Sequence, residues 1–328
     1  MKKYFYCFVL FWVLFSPQVR AGLGTYASLH EDQNKEKIEV EKMKQDLKEI
    51  KPKTDEYTDD LNDLSSQLND MNVTEIHLMV RANILALDEN IKFNALTYNN
   101  TLPGPIITVN EGSKVKIVVH NQLTQSTSFY IQGMILDNDL SGLPDLRRGL
   151  IEPGKIGTYE FTVNHAGTYL YHPQVTHFNQ MNLGLYGAIL VLPKQVNYDR
   201  EFLLLFSEIN SQGKTCYLIN GKQAPQIPPL QVSPNQRIRL HFVNAASHSI
   251  PIALTGHKLE IISQDGSDEL EPHVIRDGVT INPGSRMDCE FTSDNPGTWS
   301  LSSLDFNQAS YNGKFPGGIA CVLKYKSK

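Results

Sequence analysis

The sequence predicts an all-β protein, two tandem β-sandwiches preceded by an α-helical coiled-coil segment. Three observations carry this. From about Val73 onward, short runs of alternating apolar residues are punctuated by Pro-Gly turns. One strand-turn-strand pattern, ITVNEGSKVKIVVHNQL at 107–123, returns about 123 residues later as LQVSPNQRIRLHFVNAA at 230–246. Residues 22–75 instead repeat apolar side chains in steps of three and four between charged neighbours.

The chain opens on a leader, residues 1–21. Lys2 and Lys3 precede an apolar run from Tyr4 to Phe15, and Val19-Arg20-Ala21 supplies a small-residue cleavage point. The expectation is an exported protein of the periplasm or cell envelope. An uncleaved anchor is the alternative, for which the run is short. Nothing later is apolar for the ~20 residues a helical span needs, so no transmembrane span is expected after cleavage. Cleavage removes three cations and takes the net charge from −5 to −5 − 3 = −8, which argues against a nucleic-acid partner. Cys7 leaves with the leader, and Cys216, Cys289 and Cys321 remain. An odd count leaves a thiol free or paired with another molecule, unless these are small buried hydrophobes, and the pairing stays open.

Residues 22–75 hold seven Lys, no Arg and fourteen Asp or Glu. Apolar residues fall at Val40, Met43, Leu47, Ile50, Tyr57, Leu61, Leu64, Leu68 and Met71, with Thr54 filling the missing beat. One heptad frame therefore runs through the segment, and Pro52 kinks or splits it. It reads as a self-association stalk; a helical hairpin on its own chain, or a solvated linker, is the alternative. The sandwiches follow at 76–195 and 196–328, with the boundary near Pro193–Tyr198. Strands are expected in 107–123, in the apolar run 185–193 and in 230–246, with turns at 153–154, 283–284 and 296–297.

Several stretches resemble the multicopper oxidases, whose domains are cupredoxin Greek-key β-sandwiches. YNNTLPGPIITVNEGSKVKIVVHNQL is similar to the opening of such a domain, and GTYLYHPQVTHFNQMNLGLYGAILVLP to its end. LINGKQAPQIPPLQVSPNQRIRLHFVNAASHSIPIALTGHKLEIISQDG resembles the start of the family's last domain. RDGVTINPGSRMDCEFTSDNPGTWSLSS and GKFPGGIACVLKY resemble its end. The resemblance covers nearly all of 76–326 and is strongest to the two-domain, laccase-like branch, which implies a homotrimer.

The family's oxidase chemistry needs a blue copper on two His and a Cys, and a trinuclear cluster on four His-x-His pairs. At the positions the resemblance implies, this chain has Tyr130 and Gln132 for the first pair, and His172 and Gln174 for the second. Ile250, Ala253 and Thr255 stand at the third set. Ser302, Ser303, Leu304 and Gln308 stand in the loop that carries His-Cys-His-x-x-x-His, with Ser303 in place of the thiolate. Only His172 of the eight cluster histidines remains. The expectation is a chain with no catalytic residues and no copper cofactor, acting as a structural or interaction module with envelope protein partners.

His172, His177 and Met181, with Met134 as a further donor, form the one leftover set suited to Cu(I). This makes a periplasmic copper-binding protein the alternative function, and a residual oxidase a third. The bland reading, a packed histidine beside Tyr171 and a solvent-facing loop histidine, is favoured over a copper site. His120, His241, His248, His257 and His273 read as ordinary strand or loop residues. Asp265, Asp268, Glu269 and Glu271 could bind calcium, but a solvated loop is the commoner meaning of such a run. No hydrolase, zinc-protease or nucleotide motif is present.

Overall fold

The computed structural model describes residues 73–326 apart from 90, 137–148, 175–179, 212 and 276–277. The leader, the heptad positions 40–71 and His177 lie outside the described residues. Residues 70–328 belong to one compact unit. The first described strand starts at Val73, where the alternating pattern of the sequence sets in.

The first sandwich uses β1 (Val73–Ala86), β2 (Lys92–Tyr98), β3 (Ile107–Asn110), β4 (Lys114–Asn121), β5 (Tyr130–Gln132), β6 (Ile156–Thr162), β7 (Gly167–His172) and β8 (Gly187–Leu192). Its sheets run β2-β1-β4-β6 and β3-β8-β7-β5. Alternate residues point to one face of a strand, so Leu78, Val80, Val115, Ile117 and Val119 meet Phe129, Tyr171 and Ile189 between the sheets.

The second sandwich adds β9 (Arg200–Ser211), β10 (Lys214–Ile219), β11 (Leu230–Val232), β12 (Arg237–Asn244), β13 (Ile250–Leu254) and β14 (Leu259–Gln264). It continues with β15 (Ser267–Ile275), β16 (Val279–Ile281), β17 (Arg286–Thr292), β18 (Thr298–Ser303) and β19 (Ala320–Tyr325). The orders are β10-β9-β12-β17-β14-β15 and β11-β19-β18-β13-β16. Between β18 and β19 lies a single-turn helix, α1 (Phe306–Ala309), with Asp305 as its N-cap. The acidic stretch 260–273 is not the expected solvated loop: it lies in the β14–β15 hairpin.

The internal repeat holds at the level of single hydrogen bonds. Buried Asn121 donates to the carbonyls of Gln125 and Ile151 and accepts from the Leu123 amide. Asn244 does the same with His248, Ile281 and Ala246. Asn99 and Asn220, at φ of 53° and 50°, each tie the preceding strand to its turn by side-chain bonds to Met79 and His77, and to Leu205 and Leu203. Asn tolerates this left-handed backbone better than other residues with a side chain.

The two sandwiches pack directly. Leu170, Tyr186 and Ala188 of the first meet Leu205, Val243 and Ala245 of the second. A second apolar contact joins Phe93 and Ala95 to Ile209 and Leu218. Each large side chain removed from water here contributes about 1.5–3 kcal/mol. At Gly221, with φ +75°, a Cβ would collide with the Leu102 carbonyl, so only glycine fits that approach.

Candidate functional site

β5 and β7 are paired so that Tyr130 lies opposite His172 and Gln132 opposite Leu170. Four side chains, Tyr130, Gln132, His172 and Thr168, therefore share the face that turns toward the second sandwich. His172 is buried. Its Nδ1 lies 3.0 Å from the Pro173 carbonyl and its Nε2 3.1 Å from Oε1 of Gln132. A neutral His172 that donates from Nδ1 leaves Nε2 as an acceptor, which pairs with Gln132 when the carboxamide is turned so that its NH2 faces the ring. Burial pushes the imidazole pKa below its ordinary value; the Pro173 carbonyl opposes that, and the nearby Arg286 guanidinium adds to it. Gln174 is held by its amide, which donates to Ser128 Oγ at 2.8 Å.

Arg286 reaches across from β17. Its Nε donates to the Thr168 carbonyl at 3.3 Å, Nη1 to the Gly284 carbonyl at 3.1 Å and Nη2 to the Asp265 carbonyl at 2.8 Å. A Cβ at Gly133 would overlap this guanidinium. Asp265, one of the candidate calcium ligands, spends one carboxylate oxygen on the Arg286 amide at 2.9 Å and pairs with its guanidinium at 3.6 Å. Met181 and Met134 pack against separate apolar clusters.

In the second sandwich, Ala253 pairs with Ser302 and Ile252 with Ser303 across β13 and β18. Ile250 is core. Thr255 Oγ accepts from the Ser300 amide at 2.9 Å. Ser303 Oγ donates to Gln308 Oε1 at 2.8 Å, and Gln308 Nε2 donates to the Ser249 carbonyl at 2.9 Å. Leu304 is exposed.

Where Thr168 of the first sandwich meets β12 and β17 lies a charged network, with His241 and Asp288 buried at its centre. His241 of β12 sits with Nδ1 3.0 Å from Asp288 Oδ1 and Nε2 3.2 Å from Glu201 Oε2. Thr168 of the first sandwich donates to Asp288 at 2.8 Å, and Tyr198 donates to Glu201 at 2.6 Å. Burial alone would lower the His241 pKa; the two carboxylates outweigh it and raise the value to about 9. Asp288 is held below its usual range because His241 more than offsets its burial. Next in the same row, buried Glu290 is clamped by Arg237 and by Arg239, whose Nε lies at 2.8 Å.

Comparison with known proteins now decides the family. The model described as "Multicopper oxidase" matches at residues 80–196, and a second one of the same description at 204–326, which together make up most of the chain. The chain belongs to the multicopper oxidase family. The "Multicopper oxidase MmcO" of Mycobacterium tuberculosis is 28% identical over 247 residues, covering 61% of this chain and 48% of that protein. A "Copper resistance protein A homolog" of Pseudomonas syringae pv. tomato is 30% identical over 267 residues, covering 62% of this chain and 44% of its own length. The chain thus spans less than half the length of these curated relatives. Among solved structures, the blue copper oxidase from Nitrosomonas europaea superposes with a TM-score of 0.71 at 28% identity, over 77% of this chain and 86% of that one.

Membership in the multicopper oxidase family implies copper, and the side chains at the positions that the sequence resemblance assigns as ligands do not fit it. Ala253, Ile250 and Leu304 carry no donor atom. The Ser303 hydroxyl, a poor substitute for thiolate, is committed to Gln308. Nε2 of His172 is capped by Gln132, with a fixed cation nearby that repels a second one. Among the described residues, no group of three or more His, Cys, Asp or Glu is placed to hold a metal. The His172, His177 and Met181 set is only partly visible, because His177 lies outside the described residues.

Reading the sequence missed the buried network. His241 is the strand residue expected, but a sealed and charged one. Its signal was present: RIRLHFVN and RMDCEF place Arg237, Arg239, His241 and Arg286, Asp288, Glu290 at every second position of strands in a core-like context.

Proposed function

We propose that this multicopper oxidase family member does not assemble the blue or trinuclear copper centres, and that it serves as a structural or interaction module of the cell envelope. The observation that carries the reading is His172. It is the single retained imidazole of the cluster positions, and it is closed by Gln132 with Arg286 nearby. The interface that would carry the chemistry is instead held by side-chain and backbone hydrogen bonds. The leader at 1–21 supports export, and the heptads of 22–75 support self-association, with a homotrimer the expected state.

The test is oxidase activity. The purified chain is loaded with copper, desalted, and assayed for a blue charge-transfer band and for oxidation of a phenolic substrate. Neither signal above that of free copper is expected. Turnover with a blue band would overturn the reading. Light scattering tests the trimer, and a monomer with 22–75 intact would sink it.

A second reading is a periplasmic copper-binding protein. The similarity to a copper resistance protein supports it, as does the pairing of imidazole and thioether in His172, His177 and Met181. It requires that replacing His172 and His177 by Ala abolish stoichiometric Cu(I) binding.

A further inference from the structure

The outer face of β1 and β4 in the first sandwich corresponds to the face of β9 and β12 in the second. The shared register of Asn121 and Asn244 places His77, Met79 and His120 where the second sandwich has Leu203, Leu205 and Val243. Leu205 and Val243 are covered by the first sandwich, with Leu203 packed against the same cluster. Their counterparts are not covered: the His77 side chain is 52% exposed, and Met79 and His120 are half-buried. Two imidazoles and a thioether thus replace three aliphatic side chains on a rigid parallel ladder.

The two imidazoles converge. His77 Nδ1 lies 3.0 Å from His120 Nε2, with the rings stacked at 5.3 Å between centroids. Met79 is the direct cross-strand partner of His120. Its sulfur lies on this outer face, 3.9 Å from Gln122 Nε2. Behind His77, Glu75 Oε1 lies 3.0 Å from Nε2. The other Glu75 oxygen takes the Lys116 ammonium at 3.1 Å, and that bond is the main cause of its lowered pKa. Glu75 is therefore ionised and accepts the Nε2–H of His77. This fixes the tautomer and leaves the Nδ1 lone pair facing His120.

We propose that His77, His120 and Met79 form a surface site for a soft metal ion, Cu(I), with Glu75 as the carboxylate that orients His77. A metal-bound imidazole ordinarily donates its other N–H to such a carboxylate. Two imidazoles with a thioether are the donor set that selects Cu(I) over harder ions. Two nitrogens bound to one ion at ~2.0 Å sit about 3.3 Å apart, so the pair must open by only a few tenths of an ångström. Binding moves the His120 proton from Nε2 to Nδ1, and where both rings are neutral it releases none. This site is independent of the oxidase positions and does not rest on the function proposed above.

The experiment titrates the full chain with Cu(I), without oxygen, against a chromophoric Cu(I) chelator. One Cu(I) per chain is expected. His77→Ala and His120→Ala should each abolish it, with circular dichroism unchanged because neither ring is part of a buried core. Glu75→Gln should weaken binding by about 10–100-fold. Met79→Leu should weaken Cu(I) and leave Zn(II) binding unaltered. His172→Ala should retain the ion, which separates this site from the second reading above. Wild-type affinity in the His77→Ala/His120→Ala double variant would overturn the site, and an unchanged Cu(I) affinity in Met79→Leu would overturn the soft-metal assignment.

Discussion

Replacing His241 by Gln tests whether the buried network holds the two sandwiches as a charged assembly. His241 has an ordinary value of 6.5 and is raised to about 9 in the folded chain. A histidine raised on folding adds stability that is complete below the unfolded value and disappears as pH rises through the folded one. The gap corresponds to ~3 kcal/mol at about 1.4 kcal/mol per pH unit. Because the side chain is almost wholly sealed, solvent screening takes little from this figure.

The Gln variant keeps a donor but no charge, so the buried Asp288 carboxylate loses its contacting cation and keeps only the more distant Arg239 and Arg286. Breaking such a pair from one side costs about 3–5 kcal/mol. The assay is urea unfolding followed by fluorescence of Trp299, which lies in the second sandwich; the chain's other tryptophan, Trp12, falls in the leader. At pH 6 the variant should be less stable by ~3 kcal/mol, and the difference should shrink steadily toward pH 10. Titrations common to both proteins cancel in that difference. A deficit that is constant from pH 6 to 10 would refute a charged His241. Thr168→Val gives the interdomain half of the test: it removes the donor to Asp288, and its cost should be non-additive with that of His241→Gln.

Other outcomes follow from particular contacts. Asn121→Ala or Asn244→Ala each removes three hydrogen bonds and should cost about 3 kcal/mol in urea unfolding, with the two costs similar because the two asparagines do the same work. Burial raises all three described thiols, Cys321 to about 12, so a thiol reagent should leave Cys216, Cys289 and Cys321 untouched until denaturant is added. Fast labelling of the native chain would contradict their burial. Gly221→Ala should cost about 2 kcal/mol, seen as a lower Tm and faster proteolysis, because its backbone angle and the Leu102 carbonyl both exclude a methyl group.

The strands were largely legible in the sequence. Alternation in 107–121 and 230–244 marks strands because a half-buried sheet imposes a period of two, and the turns at 153–154, 283–284 and 296–297 carry glycines at positive φ. The repeat was visible as a motif, and its meaning is chemical: Asn121 and Asn244 end equivalent strands and satisfy equivalent carbonyls. Pairing was not legible. Nothing local tells that β1 lies parallel to β4 across 41 positions, and so nothing local brings Glu75 to Lys116 or His77 to His120. Equally, Arg286 is one arginine among many until the fold sets it against Gly133 and the Thr168 carbonyl.

The same row of the fold illustrates how burial selects chemistry. Glu75 with Lys116 and Glu201 with Arg239 are equivalent pairs, each on neighbouring strands. In the second sandwich the residues between them are covered by the first, and a histidine there must be compensated. His241 is held between two carboxylates as a fixed cation, unavailable to any ligand. In the first sandwich the position matching His241 is the aliphatic Val118, and the row around it is not covered by another sandwich. There His77 and His120 are hydrogen-bonded to each other within reach of solvent, and one carboxylate orients the pair. His172 falls on the covered side of this division, where Gln132 closes its Nε2 and Arg286 lies nearby. The outer face of β1 and β4, away from the interface between the sandwiches, is therefore where two imidazoles meet in reach of solvent.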